Sequence, residues 1–126
     1  MPLVRISLRR GKGTTHLQAL RDGVYAALRD TFEVPESDRF ILVHQHDDDA
    51  FDCSSDYLGI TRSQDLVIIQ ITCSNTRTSD QKQALYQQLT RNLSASPGLR
   101  PEDVFINLLE TDPHNWSFGN GGMQYA

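Results

Sequence analysis

Pro2, Asp38 and Arg77 are the three residues of this chain whose types and positions could act together on a small carboxylate. Proline has no backbone N–H once it is inside a chain, so it is a poor strand residue except at the first position. Here it stands directly ahead of the apolar run LVRISL. Removal of Met1, which a small second residue permits, turns the ring nitrogen into a free secondary amine; with Met1 in place that nitrogen is an amide and cannot titrate. Apolar surroundings would disfavour the ammonium and give a base suited to keto–enol proton transfer. A neighbouring carboxylate would favour the ammonium and give a cationic acid that polarises a carbonyl oxygen. Asp38 ends the turn VPESD, and Arg77 directly precedes a helix start, where unpaired N–H groups and the helix dipole favour an anion. Each residue also has an ordinary reading, since proline is tolerated at a strand start, aspartate is common in turns and arginine is common on surfaces. What matters is whether the fold brings them together.

Two segments follow the same order: an apolar run, a Thr-x-x-Gln helix start, an amphipathic helix, a Pro-Glu turn with an aspartate, and a second apolar run. In the first, VRISL leads to Thr15 and Gln18, then Leu17, Leu20, Val24, Leu28 and Phe32 at helical spacing, then VPESD and FILVH. In the second, LVIIQIT leads to Thr78 and Gln81, then Leu85, Leu89 and Leu93, then LRPED and VFINLL. Both Thr-x-x-Gln stretches match a capping box, in which hydroxyl and amide satisfy orphan N–H groups at the helix start. The chain therefore reads as one domain of two pseudo-repeats, about residues 2–46 and 66–110, with a carboxy-terminal arm at 111–126. Each repeat is a strand–helix–strand unit with parallel strands. Two such units predict an α+β fold: a four-stranded mixed sheet with two antiparallel helices on one face. If the first strands of the repeats are antiparallel neighbours at the centre, Pro2, Asp38 and Arg77 fall at one edge of the sheet. The stretch HDDDAFDCSSDYLGITRS between the repeats reads as a polar excursion with a short strand, and NWSFGNGGMQY as a hairpin or arm whose aromatics a neighbouring subunit would bury.

With 126 residues, 38% of them hydrophobic and 22% charged, the chain is long enough for a packed core. A net charge of -4 gives no electrostatic reason to expect nucleic acid or acidic lipid as a partner. No apolar run approaches the roughly 18 residues of a membrane span, and Arg5, Arg9 and Arg10 interrupt any signal-peptide core, so the expected location is the cytoplasm. Cys53 and Cys73 lack the spacing of a zinc site or redox pair and read as free thiols. His44 and His46 lie two apart in a strand ahead of Asp47, Asp48 and Asp49, a conceivable metal site that lacks a positioned third ligand. The expected metal content is none.

The Pro2 start, the doubled unit, PESDRFILVHQH, LGITRS and above all PHNWSFGNGGMQY resemble the tautomerase superfamily, and within it the malonate semialdehyde decarboxylase branch. The resemblance covers almost the whole chain. It implies a homotrimer, Pro2 as the catalytic amine after loss of Met1, Asp38 as the aspartate working beside it, and neither metal nor organic cofactor. The decarboxylases resembled carry two arginines separated by one residue at the end of the third strand. The corresponding stretch here is SNTRT, in which Arg77 matches the second and Asn75 replaces the first. Trp116 and Phe118 match the hydrophobic wall, while Asn120 stands where the branch has an aromatic residue.

The resemblance thus implies decarboxylation of a 3-oxo acid such as malonate semialdehyde, with Pro2, Asp38 and Arg77 catalytic and Asn75, Trp116 and Phe118 binding substrate. Keto–enol tautomerisation, hydration of an unsaturated acid by the same groups, and a non-catalytic trimer remain as alternatives.

Overall fold

The structure, a computed structural model, describes residues 2–126. Met1, on whose removal the amine of Pro2 depends, lies outside the described residues. Strand β1 (Leu3–Arg9) turns Val4, Ile6 and Leu8 into the core with the period of two that a half-buried strand requires. Helix α1 (Thr14–Phe32) buries Leu20, Val24, Ala27, Leu28 and Phe32 along one stripe. It stops at Glu33, whose φ of 56° is left-handed, because Val34 precedes Pro35 and is pushed out of the helical region. Strand β2 (Ile41–His46) returns parallel to β1, with Val4 opposite Ile41.

The excursion that follows holds a 3₁₀ turn at 48–50 and a two-stranded ribbon of β3 (Asp56–Tyr57) and β4 (Ile60–Thr61), one strand more than expected. Strand β5 (Val67–Ser74) then buries Val67, Ile69, Ile71 and Cys73, helix α2 (Ser79–Ala95) buries Leu85, Leu89 and Leu93, and strand β6 (Val104–Thr111) completes the sheet. Strand order is β2-β1-β5-β6, with β1 and β5 antiparallel at the centre and each outer strand parallel to its neighbour. This is the expected α+β architecture.

Both helices pack on the face to which Val4, Ile6, Ile69 and Ile71 point, forming one core cluster. Complete burial of Leu85, Leu89 and Leu93 stabilises the packed state by roughly 1.5–3 kcal/mol each. The helices approach so closely at Gly23 that a Cβ there would lie 2.8 Å from Leu93 Cδ2, while Asn92 Nδ2 donates to the Gly23 carbonyl at 3.0 Å. The opposite face of the sheet is open and leaves Leu42, Phe105 and Leu109 exposed. No helix among the described residues is long and apolar enough to cross a membrane.

One expectation needs correction. The capping box forms at Thr78, whose hydroxyl accepts the Gln81 N–H at 3.2 Å while the Gln81 side chain accepts the Thr78 N–H at 2.9 Å. None forms at Thr15, because the N-cap of α1 is Gly13, extended and two residues earlier, which puts Thr15 inside the first turn. Of the two forms expected for the carboxy-terminal segment, hairpin or arm, it is the arm: a 3₁₀ turn at 113–115 follows β6 and no further strand does. Thr78→Ala is expected to cost about 1 kcal/mol in urea unfolding and Thr15→Ala less than about 0.5 kcal/mol. Equal losses would show that the caps are equivalent.

Candidate active site

The central strand pairing decides what meets at the end of the sheet where the chain begins. Leu3 of β1 lies opposite Thr72 of β5, so Pro2, one residue earlier and buried, falls level with Cys73. On the other side of β1 the Val4 N–H donates to the Phe40 carbonyl at 3.0 Å, which brings the residues just ahead of β2 beside the start of the chain. Asp38 is among them, three residues before β2, with its N–H on the Pro35 carbonyl at 3.0 Å. Flanking contacts hold this turn to α1. Arg39 pairs with Asp22 at 2.6 Å and lies over the Tyr25 ring at 4.5 Å, and the Tyr25 hydroxyl donates to the Glu36 carbonyl.

Arg77 stands in the turn that leaves β5. Its Nη2 donates to the Phe32 carbonyl at the end of α1 at 3.1 Å, and its guanidinium lies 4.9 Å from the centroid of the Phe32 ring. A cation at a helix C-terminus also complements the helix dipole. The sequence suggested in addition that the N-terminus of α2 offers free N–H groups beside Arg77. Two of those donors are taken by the capping box, and Asp80 adds a negative charge to the first turn, so an anion at this point would rely on the guanidinium.

Arg77 is close enough to act on the ionisation of Asp38. Burial pushes the Asp38 carboxyl above the ordinary aspartate range, and the positive charge of Arg77 acts in the opposite direction. Tyr125 joins them: burial raises its phenol, the charge of Asp38 raises it further, and Arg77 opposes both. A phenol held high in this way remains a neutral hydrogen-bond donor at physiological pH. Burial also raises the Cys73 thiol, which therefore stays protonated and is a poor nucleophile.

The arm supplies the aromatic wall. Trp116 stacks on Phe118 with centroids 5.4 Å apart, and Phe118 meets Tyr125 edge-on at 4.8 Å. Trp116 and Phe118, with Leu3, Phe40, Thr72 and Thr111, line a cavity of about 480 Å³ on the open face of the sheet. Asn75 is exposed, and its backbone N–H donates to the Thr111 carbonyl at 3.2 Å. Asn120 takes a left-handed φ of 57° ahead of Gly121 at 70°, a conformation that asparagine tolerates better than an aromatic residue does.

Among the described residues no group of three or more His, Cys, Asp and Glu side chains is arranged to hold a metal ion. His44 faces Arg5 at 3.2 Å, and His46 packs against the Phe51 ring. Cys53 and Cys73 are free.

The sequence reading treated Tyr125 only as apolar area in the arm and made no use of Thr111. A phenol has an apolar body and a polar tip, which is the signal that could have marked Tyr125 as more than packing.

The arrangement offers a buried chain start, a carboxylate, a guanidinium and a phenol within one another's electrostatic reach, with Tyr125 joined through Phe118 to the wall of a largely apolar cavity, a set suited to holding a small carboxylate and moving a proton on it. A family model described as tautomerase enzyme matches residues 38–119. A probable tautomerase of Bacillus subtilis (strain 168), YusQ, is 36% identical over 98% of both chains. A malonate semialdehyde decarboxylase, for which decarboxylase and hydratase activities are both described, is 31% identical and superposes with a TM-score of 0.91 over 98% of this chain and 95% of its own. A second malonate semialdehyde decarboxylase, inhibited by 3-bromopropiolate, is 36% identical with a TM-score of 0.90 over 98% and 93%. The chain belongs to the tautomerase family, an enzyme family.

The charge arrangement gives a spectroscopic expectation. Asp38 raises the Tyr125 phenol, so Asp38→Asn should lower that phenol's pKa in an ultraviolet titration. Tyr125→Phe identifies its contribution among the four tyrosines. An unchanged titration in Asp38→Asn would separate the two side chains.

Proposed function

We propose that this protein, once Met1 is removed, uses the amine of Pro2 to decarboxylate a small 3-oxo acid such as malonate semialdehyde. The observation that carries the reading is the meeting of Asp38 and Arg77 beside the chain start, so that a carboxylate and a carbonyl of one small molecule find opposite partners. Arg77 holds the substrate carboxylate by charge-assisted hydrogen bonds. Asp38 favours the ammonium form of Pro2, which donates to the carbonyl oxygen. As the bond to the carboxylate carbon breaks, carbon dioxide leaves and its electron pair passes into the enolate that the Pro2 cation stabilises; a proton taken up at carbon then gives the aldehyde. Asp38 orients Pro2 or a water, and Trp116 and Phe118 keep the reacting end dry. The two decarboxylases that the chain resembles over nearly its whole length support this choice of substrate.

A second reading is favoured by Asn75. It is exposed and uncharged where the decarboxylases resembled have an arginine, so the carboxylate is held by one cation, and that cation already donates to the Phe32 carbonyl. Hydration of an unsaturated acid with Asp38 as base, or tautomerisation of an enol acid with neutral Pro2, asks less of carboxylate binding than decarboxylation does.

The working unit in this reading is a cytoplasmic homotrimer without metal or organic cofactor. The open sheet face supports assembly, since Phe40, Leu42, Phe105 and Leu109 leave more apolar area exposed than one chain can cover. Sedimentation should give three times 14.2 kDa, and a monomer at micromolar concentration would refute it.

Intact mass must show loss of Met1 in active protein. Pro2→Ala, which leaves a primary amine of different basicity and shape, should lower kcat/KM for the oxo acid by about 10²–10⁴-fold. Arg77→Ala should lower it about 10–100-fold, chiefly through KM. Asn75→Arg should raise carbon dioxide release from malonate semialdehyde. If that rate does not move while Pro2 still matters, hydration or tautomerisation is the better assignment.

A further inference from the structure

Thr111 ends β6 and is half-buried at the junction of three parts of the site. Its Oγ1 lies 2.7 Å from Trp116 Nε1 and 3.1 Å from the Cys73 carbonyl. An indole N–H can only donate and a carbonyl can only accept, so the direction of both bonds is fixed. The single hydroxyl proton goes to the Cys73 carbonyl, and a lone pair receives the indole. The carbonyl of the same residue accepts the Asn75 N–H at 3.2 Å, which secures the turn carrying Arg77.

We propose that Thr111 is a positioning residue that locks the aromatic arm to the Arg77 turn and thereby sets where the wall stands relative to the guanidinium. Trp116 is held by the hydroxyl, Phe118 stacks on Trp116, and Tyr125 meets Phe118 while lying in the field of Asp38 and Arg77. The arm has no strand to fix it, and its other polar ties at 118–124 are internal, with Gln124 bridging the Phe118 N–H and the Gly119 carbonyl. Of the contacts described for Trp116, the Thr111 bond is the one that reaches the sheet.

Valine at position 111 has nearly the same shape but neither donates nor accepts. Thr111→Val leaves a part-buried indole N–H without its acceptor and removes the hydroxyl donor from the Cys73 carbonyl, whereas Thr111→Ser keeps both bonds. Trp116 is the chain's single tryptophan, so indole signals come from this side chain alone. In the unmodified protein the indole proton should exchange with water at least tenfold more slowly than in a free indole. Thr111→Val should speed that exchange and raise acrylamide quenching of the emission several-fold, and Thr111→Ser should resemble the parent in both. The kinetic arm rests on the oxo-acid reading: Thr111→Val should raise KM about three- to tenfold with a smaller change in kcat, because the wall contacts ground and transition states alike, and Thr111→Ser should recover most of the loss.

Free exchange of the indole proton in the unmodified protein overturns the proposal even if Thr111→Val fails to fold. Exchange and quenching unchanged in a folded Thr111→Val do so as well, and so does Thr111→Ser behaving as badly as Thr111→Val, which would make the methyl group the agent. Absence of oxo-acid turnover in every variant, with the indole signals behaving as expected, counts against the proposed function and leaves the positioning role supported.

Discussion

The antiparallel pairing of β1 with β5 is the constraint on which the site depends. Each strand belongs to its own strand–helix–strand unit, and within a unit the two strands run parallel. Had β1 and β5 run parallel, the chain start and the turn after β5 would stand at opposite ends of the sheet. Because Leu3 faces Thr72, the start of one strand lies beside the end of the other, and Pro2 and Arg77 come to one place without any long loop reaching across. The alternation of Val4, Ile6 and Leu8 against Ile71, Ile69 and Val67 fixes that register, since a slip by one residue would turn every buried side chain out.

The same geometry creates a second meeting point at the other end of the two central strands, and its chemistry differs. Lys12 directly precedes the N-cap of α1 as Arg77 precedes that of α2, but Lys12 pairs with Asp65 at 2.6 Å. Leu66, ahead of β5, holds the place that Pro2 holds ahead of β1. Asp103, ahead of β6 as Asp38 is ahead of β2, is completely buried and accepts the Ser63 N–H at 2.7 Å and the Ser63 hydroxyl at 2.5 Å. Those bonds fasten the excursion between the units to β6. One aspartate is thus absorbed in structure, whereas the other is set before Arg77 and Tyr125, where a ligand's charges would count.

The fold was legible because its signals are local and repeated. Strand alternation, the helical stripes of Leu20 to Phe32 and Leu85 to Leu93, and the proline turns each limit the chain to one element type, and the crossover rule then leaves few topologies. The start of α1 was misread because Thr15 and Gln18 have the right spacing for a capping box, yet Gly13 adopts the extended N-cap conformation first. The arm was legible only as apolar area. Its path follows side-chain bonds from Trp116 to Thr111 and from Gln124 to the backbone at 118–119, with ring contacts among residues of no periodicity, none of which leaves a pattern in sequence. The site was readable in its charged members, which sit at element ends, and not in Tyr125, whose place depends on that path.

That difference bears on how the site discriminates. A guanidinium held by the Phe32 carbonyl and ring is a fixed positive charge, so it attracts any small anion and selects poorly among them. Under the proposed function, selection falls to the groups that shape the remaining volume: a neutral phenol, a carboxylate raised by burial, and a stacked pair of rings over a cavity of about 480 Å³. A carboxylate carbon rotated out of the carbonyl plane needs its two oxygens held firmly, and one guanidinium with a donor already engaged provides less of that than two arginines would. The Tyr125 phenol lies in the field of both Asp38 and Arg77, and because its proton is held tightly it can add a hydrogen bond to an anion without adding charge.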